Sequence, residues 1–244
     1  MSRLTITHYL RCPLVRVGLS SPTIPCYPHG LLSSEQCSWY NLSVSDILEE
    51  LEKRGALLRG HFLLTSGLHS DAYFEKFRVL ESPEMTRKLL SLIADDVRKL
   101  NPEIIAGPTT GGILVAFALA EMLGLDAAYA ELPPDGSKNS GRKEQDPGHM
   151  GRVFRRDFPL QGKRVLVVDD VMTTGGSLID TMEAVQKEAG QVVGVGLLVD
   201  RSGGKDLGVP VLPALRLDMT AFRPEECPLC RERVPITVRG KGKG

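Results

Sequence analysis

Apolar and polar positions along the chain set out a series of elements. Val44, Ile47, Leu48 and Leu51 fall on one helical face, with Ser43 and Asp46 as a capping pair in front of them. Ser82-Pro83 opens a second helix, with proline at its first position, and Met85, Leu89, Leu92, Ile93 and Val97 form its apolar stripe. The pattern then becomes strand, loop and helix. Glu103 to Ala106 reads as a short strand, Gly107 to Gly112 as a loop, and Ile113 to Leu123 as an apolar helix ended by Gly124. Ala127 to Ala130 is another short strand. Val165 to Val168 is a buried strand that ends at two adjacent carboxylates, Asp169 and Asp170. A helix from about Ser177 to Ala189 stops at Gly190, Val192 to Val199 is a further strand, and Val209 to Leu212 another.

Short apolar strands alternating with helices predict an α/β fold, with right-handed βαβ units around a parallel sheet. Ligands of such sheets bind beyond the carboxyl ends of the strands. The loops after Ala106, Ala130, Val168 and Val199 are therefore expected to meet at one crevice.

Composition narrows the class. At 244 residues the chain fits one globular domain with extensions. A formal net charge of zero gives no case for a nucleic-acid or membrane surface, and no apolar run approaches the roughly 20 residues that span a bilayer. Cys12, Cys26 and Cys37 lie near the start and Cys227 and Cys230 near the end, which is no disulfide framework and suits a reducing cytoplasm. Residues 1–42 differ from the rest: Pro13, Pro22, Pro25 and Pro28 interrupt any regular element, and no Asp or Glu precedes Glu35. They read as a poorly ordered extension without catalytic role, with an added docking element as the alternative. Residues 236–244 read as a basic Gly/Lys tail.

The chemistry concentrates in 164–178, RVLVVDDVMTTGGSL. Paired acids suit sugar hydroxyls or a metal. The turn Thr173-Thr174-Gly175-Gly176-Ser177 at a helix N-terminus suits a phosphate, because free N–H groups point outward there and the dipole favours an anion. Gly107-Pro108-Thr109-Thr110-Gly111-Gly112 follows a strand in the same way and can receive a second group of oxygen anions. Residues 131–157 form a polar segment too long for an ordinary connection, carrying Lys138, Arg142, Lys143, His149, Arg152, Arg155 and Arg156.

The string DDVMTTGGS, strand before and helix after, resembles the signature of type I phosphoribosyltransferases. His61-Phe62-Leu63-Leu64-Thr65-Ser66-Gly67 with Ser70, Tyr73 and Phe74 resembles the N-terminal motif of the orotate phosphoribosyltransferases; read alone it is a β-hairpin with aromatic core residues. The resemblance covers about residues 43–235. It implies a parallel-sheet type I phosphoribosyltransferase fold with helices on both faces, a small N-terminal hood over about 43–80, and a mobile loop over about 131–157. It implies transfer of a phosphoribosyl group from phosphoribosyl pyrophosphate to orotate, with Mg²⁺ as cofactor, in a homodimer. Carried over, Asp169, Asp170, Val171, Met172, Thr173, Thr174, Gly175, Gly176 and Ser177 bind the donor's ribose and 5′-phosphate, and Thr109, Thr110, Gly111 and Gly112 its pyrophosphate. Tyr73, Phe74, Thr173 and Arg201 face the orotate; Mg²⁺ comes with the donor, Asp169 and Asp170 being the residues at hand for it. Arg142 and Lys143 are the catalytic cations of the loop; in an alternative alignment residues 132–150 are an insertion and Arg155-Arg156 is the basic pair.

The chain departs from the family at two places, Thr65 and Gly111, where many orotate enzymes carry lysine. A phosphoribosyl-pyrophosphate-binding regulator, or an enzyme for another base, is the alternative function. Cys227-Pro228-Leu229-Cys230 is a C-x-x-C that reads as a tail turn, because a structural zinc needs about four ligands and no second pair lies nearby; a site shared across a dimer, or a dithiol, is the alternative, and His61, His69 and His149 show no metal spacing.

Overall fold

The computed structural model describes residues 44–64, 66–134 and 151–239. The N-terminal extension, Ser43, Thr65, Arg142, Lys143 and His149 lie outside the described residues. The order is α1 (Val44–Lys53), β1 (Leu57–Leu63), β2 (His69–Phe74), α2 (Phe77–Leu80), α3 (Pro83–Lys99), β3 (Ile104–Pro108), α4 (Gly111–Leu123), β4 (Asp126–Ala130) and β5 (Arg164–Met172). Then follow α5 (Gly176–Lys187), β6 (Gln191–Asp200), β7 (Val211–Arg216), β8 (Ala221–Phe222), α6 (Pro228–Arg231) and β9 (Ile236–Val238). No helix among the described residues is long and apolar enough to cross a membrane.

Five strands form a sheet in the order β4-β3-β5-β6-β7, every neighbouring pair parallel. The chain runs from β3 outward to β4, then returns past β3 to β5 and continues the other way. The strand order therefore reverses between β3 and β5, the place where open parallel sheets bind ligands. Both faces are covered, which explains the unbroken apolar run of β5. Leu166 and Val168 join α1, α3 and α4 in one core, while Val165 and Val167 join α5 in the other.

Helix α3 begins as expected. The Ser82 side chain accepts from the Met85 N–H, and Met85, Leu89, Ile93 and Val97 are buried. Leu92, expected in that stripe, is exposed, and Leu90 takes the inward place. Helix α4 starts at Gly111, two residues before Ile113, and ends on Gly124 in the left-handed region.

A second sheet, β8-β2-β1-β9, takes in the hairpin of the region expected to be the hood. The β1–β2 hairpin supplies its centre, and the C-terminal segment supplies both edges: β8 pairs antiparallel with β2 and β9 parallel with β1. This sheet is thus built from both ends of the domain, and Ile236–Val238 are strand rather than tail. In the long polar segment, the backbones of Glu131 and Val153 pair through two hydrogen bonds of 2.9 Å. Phe154, Phe158 and Leu160 then pack against the α5-side core, so the C-terminal part of the expected mobile loop is anchored.

Candidate active site

Strand β5 does not stop before its acids. It continues through Asp169 and Asp170 to Met172, pairing Asp169 with Leu197 and Met172 with Asp200 of β6. Both carboxylates are therefore held by the rigid sheet. The pleat turns successive side chains apart, and the two acids keep different company. Asp170, its side chain 3% exposed, meets Lys76 Nζ at 2.9 Å from Oδ2. The Val171 N–H also donates to its Oδ1. Asp169 accepts from the Asp170 N–H at 2.8 Å. Burial, reinforced by the Asp170 charge, pushes its pKa up to about 7, with Lys76 and Arg152 pulling the other way.

The two expected anion loops flank the switch point. After β5, Thr173 and Thr174 are exposed, and Gly175 turns the chain with φ +77° into the first residue of α5. An L side chain there would be strained and would meet Leu207 Cδ2 at 3.3 Å. The turn and the end of β5 line a hollow of about 60 Å³ in which Asp169, Thr173, Gly176 and Ser177 take part. Lys205 reaches across from the loop after β6 and donates to the Thr174 carbonyl at 2.6 Å. After β3, the Thr109–Gly112 turn leads into α4, and Gly111 is its tightest point. A Cβ at Gly111 would lie 1.7 Å from Asp170 Oδ2.

Arg152 joins the two loops. Its Nη1 donates to Thr109 Oγ1 at 3.0 Å and to the Ala130 carbonyl at 3.3 Å; its Nη2 donates to the Thr109 carbonyl at 3.3 Å and to Ser177 Oγ at 3.5 Å. The residue is 9% exposed. Burial draws the pKa of its guanidinium down, against the charges of Asp169 and Asp180. A planar five-donor group suits this bridging better than an ammonium.

The third wall is less uniform than expected. Tyr73 is half-buried, its ring tilted against Phe62 at 5.6 Å between centroids. Burial raises its pKa, and the neighbouring Arg201 charge opposes the shift. Phe74, expected beside it at the ligand, instead points into the main core, 6% exposed, as strand alternation requires. Arg201 is fixed through its N–H to the Met172 carbonyl at 2.8 Å. Its Nε is buried without a hydrogen-bond partner among the described residues. Of the other expected site residues, Met172 is buried at 1% and Val171 is partly buried against the main core.

Sequence reasoning missed two residues here. Lys76 stands outside every motif. Arg152 was one of several cations in a charged segment, and nothing in its neighbours separates it from Arg155 or Arg156.

A family model described as a phosphoribosyl transferase domain matches residues 78–208. The chain is 40% identical over 197 residues to the orotate phosphoribosyltransferase of Desulforamulus reducens, covering 80% of this chain and 95% of that protein. It is 41% identical over 197 residues to that of Carboxydothermus hydrogenoformans, covering 79% and 95%. Among solved structures, orotate phosphoribosyltransferase from Aeropyrum pernix aligns with a TM-score of 0.56 at 28% identity, over 70% of this chain and 93% of that one. Adenine phosphoribosyltransferase from Rhodothermus marinus aligns with a TM-score of 0.55 at 22% identity, over 71% and 99%, which is likeness of fold alone.

Proposed function

The chain belongs to the phosphoribosyltransferase family, among its orotate phosphoribosyltransferases, and we propose that it forms orotidine 5′-monophosphate and pyrophosphate from orotate and phosphoribosyl pyrophosphate in the cytoplasm. The observation that carries this reading is Arg152, which holds Thr109 and Ser177 together across the switch point. It ties the turn after β3 to the N-terminus of α5; Asp170 lies against Gly111 of the first and Asp169 lines the hollow at the second, an arrangement that suits a sugar carrying phosphate at both ends.

In this reading the N-terminus of α5 and the Thr173–Ser177 turn hold the 5′-phosphate. The Thr109–Gly112 turn holds the pyrophosphate. Asp169 and Asp170 accept hydrogen bonds from the ribose hydroxyls and lock the ring in place. Tyr73 packs on the pyrimidine, and the unpartnered Nε of Arg201 supplies a donor for an orotate oxygen. An orotate ring nitrogen then bonds to C1′ as the bond to pyrophosphate breaks. The residues act by position and charge, and no covalent nucleophile is required.

The buried acids also suit Mg²⁺, a hard cation that prefers oxygen ligands. Asp169 feels the charge of Asp170 beside it in the strand, while the Lys76 ion pair is made with Asp170. Asp169 and Asp170 are the residues that would hold the ion or its water shell. When bound with the donor, Mg²⁺ neutralises charge gathering on the leaving pyrophosphate. We assign a second copy of the chain to the outer face of α4, where Leu114 and Phe117 are 47% and 69% exposed.

The full chain is assayed with orotate, phosphoribosyl pyrophosphate and Mg²⁺, following loss of orotate absorbance. Turnover with orotate is expected. Turnover with adenine or another base and none with orotate would overturn the acceptor assignment.

A further inference from the structure

His61 on β1 and His69 on β2 share one face of the hairpin as diagonal neighbours, since Leu63 stands opposite His69. Their rings meet edge to face at 4.8 Å, and His61 Nε2 lies 2.9 Å from His69 Nδ1. Two thiols arrive from the far end of the chain. Cys227 Sγ is 3.6 Å from His61 Nε2; Cys230 Sγ is 3.7 Å from the same atom and 3.3 Å from His69 Nδ1. All four donor atoms lie within 4.8 Å of one another. A tetrahedral zinc with bonds of about 2.3 Å to sulfur and about 2.05 Å to nitrogen has edges of about 3.3 Å between nitrogens, about 3.6 Å from nitrogen to sulfur and about 3.8 Å between sulfurs. Four of the six edges, 2.9, 3.3, 3.6 and 3.7 Å, come within about 0.4 Å of those values, and no pair of donor atoms is more than 4.8 Å apart. The spacing argument against a metal therefore fails, because the hairpin and the C-terminal chain reversal supply the second pair of ligands that the sequence does not place nearby.

Two further observations point the same way. The His61 Nδ1 lies 2.8 Å from the Val234 carbonyl. An N–H donated there leaves the Nε2 lone pair turned to the cluster, the orienting contact that metal-bound histidines usually have. Between Asp218 and Arg239, Cys227 is the sole buried residue. This segment contributes a two-residue and a three-residue edge strand to the hood with almost no apolar burial to hold them, a situation that small folds resolve with a staple.

We propose that His61, His69, Cys227 and Cys230 bind one Zn²⁺ that staples residues 221–238 onto the β1–β2 hairpin. Two thiolates and two imidazoles select zinc over the magnesium of the reaction. Four protein ligands close the coordination shell, so the site is structural. Its effect is to fix the hairpin that also carries Tyr73.

The full chain is incubated with Zn²⁺ under a phosphine reductant and gel-filtered, and its zinc is counted by mass spectrometry beside C230S and H69N. Cys230 is exposed, so its serine variant keeps the fold. The wild type is expected to retain one zinc per chain more than either variant. Loss of a ligand should weaken retention at least as much as the roughly tenfold cost of losing an outer-shell partner. Co²⁺ in the wild-type protein is expected to give the absorption of a tetrahedral thiolate site. Chelation should open Arg231 and Arg233 to trypsin. Equal zinc in wild type and C230S, or an octahedral Co²⁺ spectrum without thiolate charge transfer, would overturn the proposal.

Discussion

Lys76 Nζ stands 2.9 Å from Asp170 Oδ2, joining the end of the hood hairpin to the central strand of the main sheet. The carboxylate is buried and the ammonium partly exposed. Replacing Lys76 by Met leaves the acid without its cation. A fully buried pair broken this way costs about 3–5 kcal/mol; here water screens part of the loss, and about 1–3 kcal/mol is expected. Urea unfolding of K76M, D170N and the double variant measures it. The pair should couple by more than about 0.5 kcal/mol, and additive losses would refute a direct interaction.

Arg152 is expected to govern the donor rather than the acceptor. Its four hydrogen bonds reach Thr109 and Ser177, on the two loops assigned to phosphoribosyl pyrophosphate, and the carbonyl of Ala130 at the end of β4. Arg152→Lys keeps the charge but cannot span both loops. Losing charge-assisted hydrogen bonds worth about 1.5–3 kcal/mol corresponds to roughly a 10–100-fold rise in KM for the donor. Steady-state kinetics with each substrate varied in turn will check this; an equal rise in KM for orotate would place Arg152 elsewhere in the reaction.

How far this site could be read in advance depended on the kind of signal. Both turns were legible as strand-to-helix turns because a Gly/Thr/Ser run follows an apolar strand in each, and β5 was legible because a strand buried on both faces reads as continuous Val and Leu. The end of β5 was not, since Asp169 and Asp170 look like a strand's polar boundary and only the pairing with β6 carries the strand through them. Phe74 was assigned to the ligand by motif, whereas alternation sends it to the core beside Leu57 and Val79. Strands β8 and β9 left no pattern at all: they are two and three residues long, with no buried side chain in either. Arg152 was hidden because its role comes from chain reversal at the Glu131–Val153 bridge, not from its neighbours in sequence.

Gly111 stands where many orotate enzymes carry a lysine, which suggests that restoring it would strengthen donor binding. The geometry argues the reverse. Any Cβ at this position falls 1.7 Å from Asp170 Oδ2, and the same carboxylate already has Lys76 as its cation. Gly111→Lys and Gly111→Ala should both displace Asp170, destabilise by at least the roughly 1–3 kcal/mol of ordinary overpacking, and lower kcat/KM. Thermal unfolding and kinetics of the two variants test this. A G111K enzyme as stable as wild type with a lower KM for the donor would show that Asp170 has another place to go.

Asp169 makes the unliganded protein sensitive to pH in a direction that can be worked out. Its pKa is raised from 3.8 to about 7, chiefly by burial, so folding favours the neutral acid. Its contribution to stability is complete below about pH 4 and is lost as the pH climbs through about 7. With 1.36 kcal/mol for each pH unit between the two values, the loss by pH 8 is on the order of 4 kcal/mol. Asp169→Asn removes the ionisation and keeps the shape. The variant should therefore gain in Tm relative to wild type as the pH rises from 4 to 8. Adding Mg²⁺ with phosphoribosyl pyrophosphate should narrow that gap, because bound cations and sugar hydroxyls answer the charge that burial leaves exposed to no solvent. Activity should fall in the same variant, since the carboxylate that weakens the empty fold is the one proposed to hold the ribose. Parallel Tm curves for the two proteins across that range would mean that Asp169 keeps an ordinary pKa in the fold.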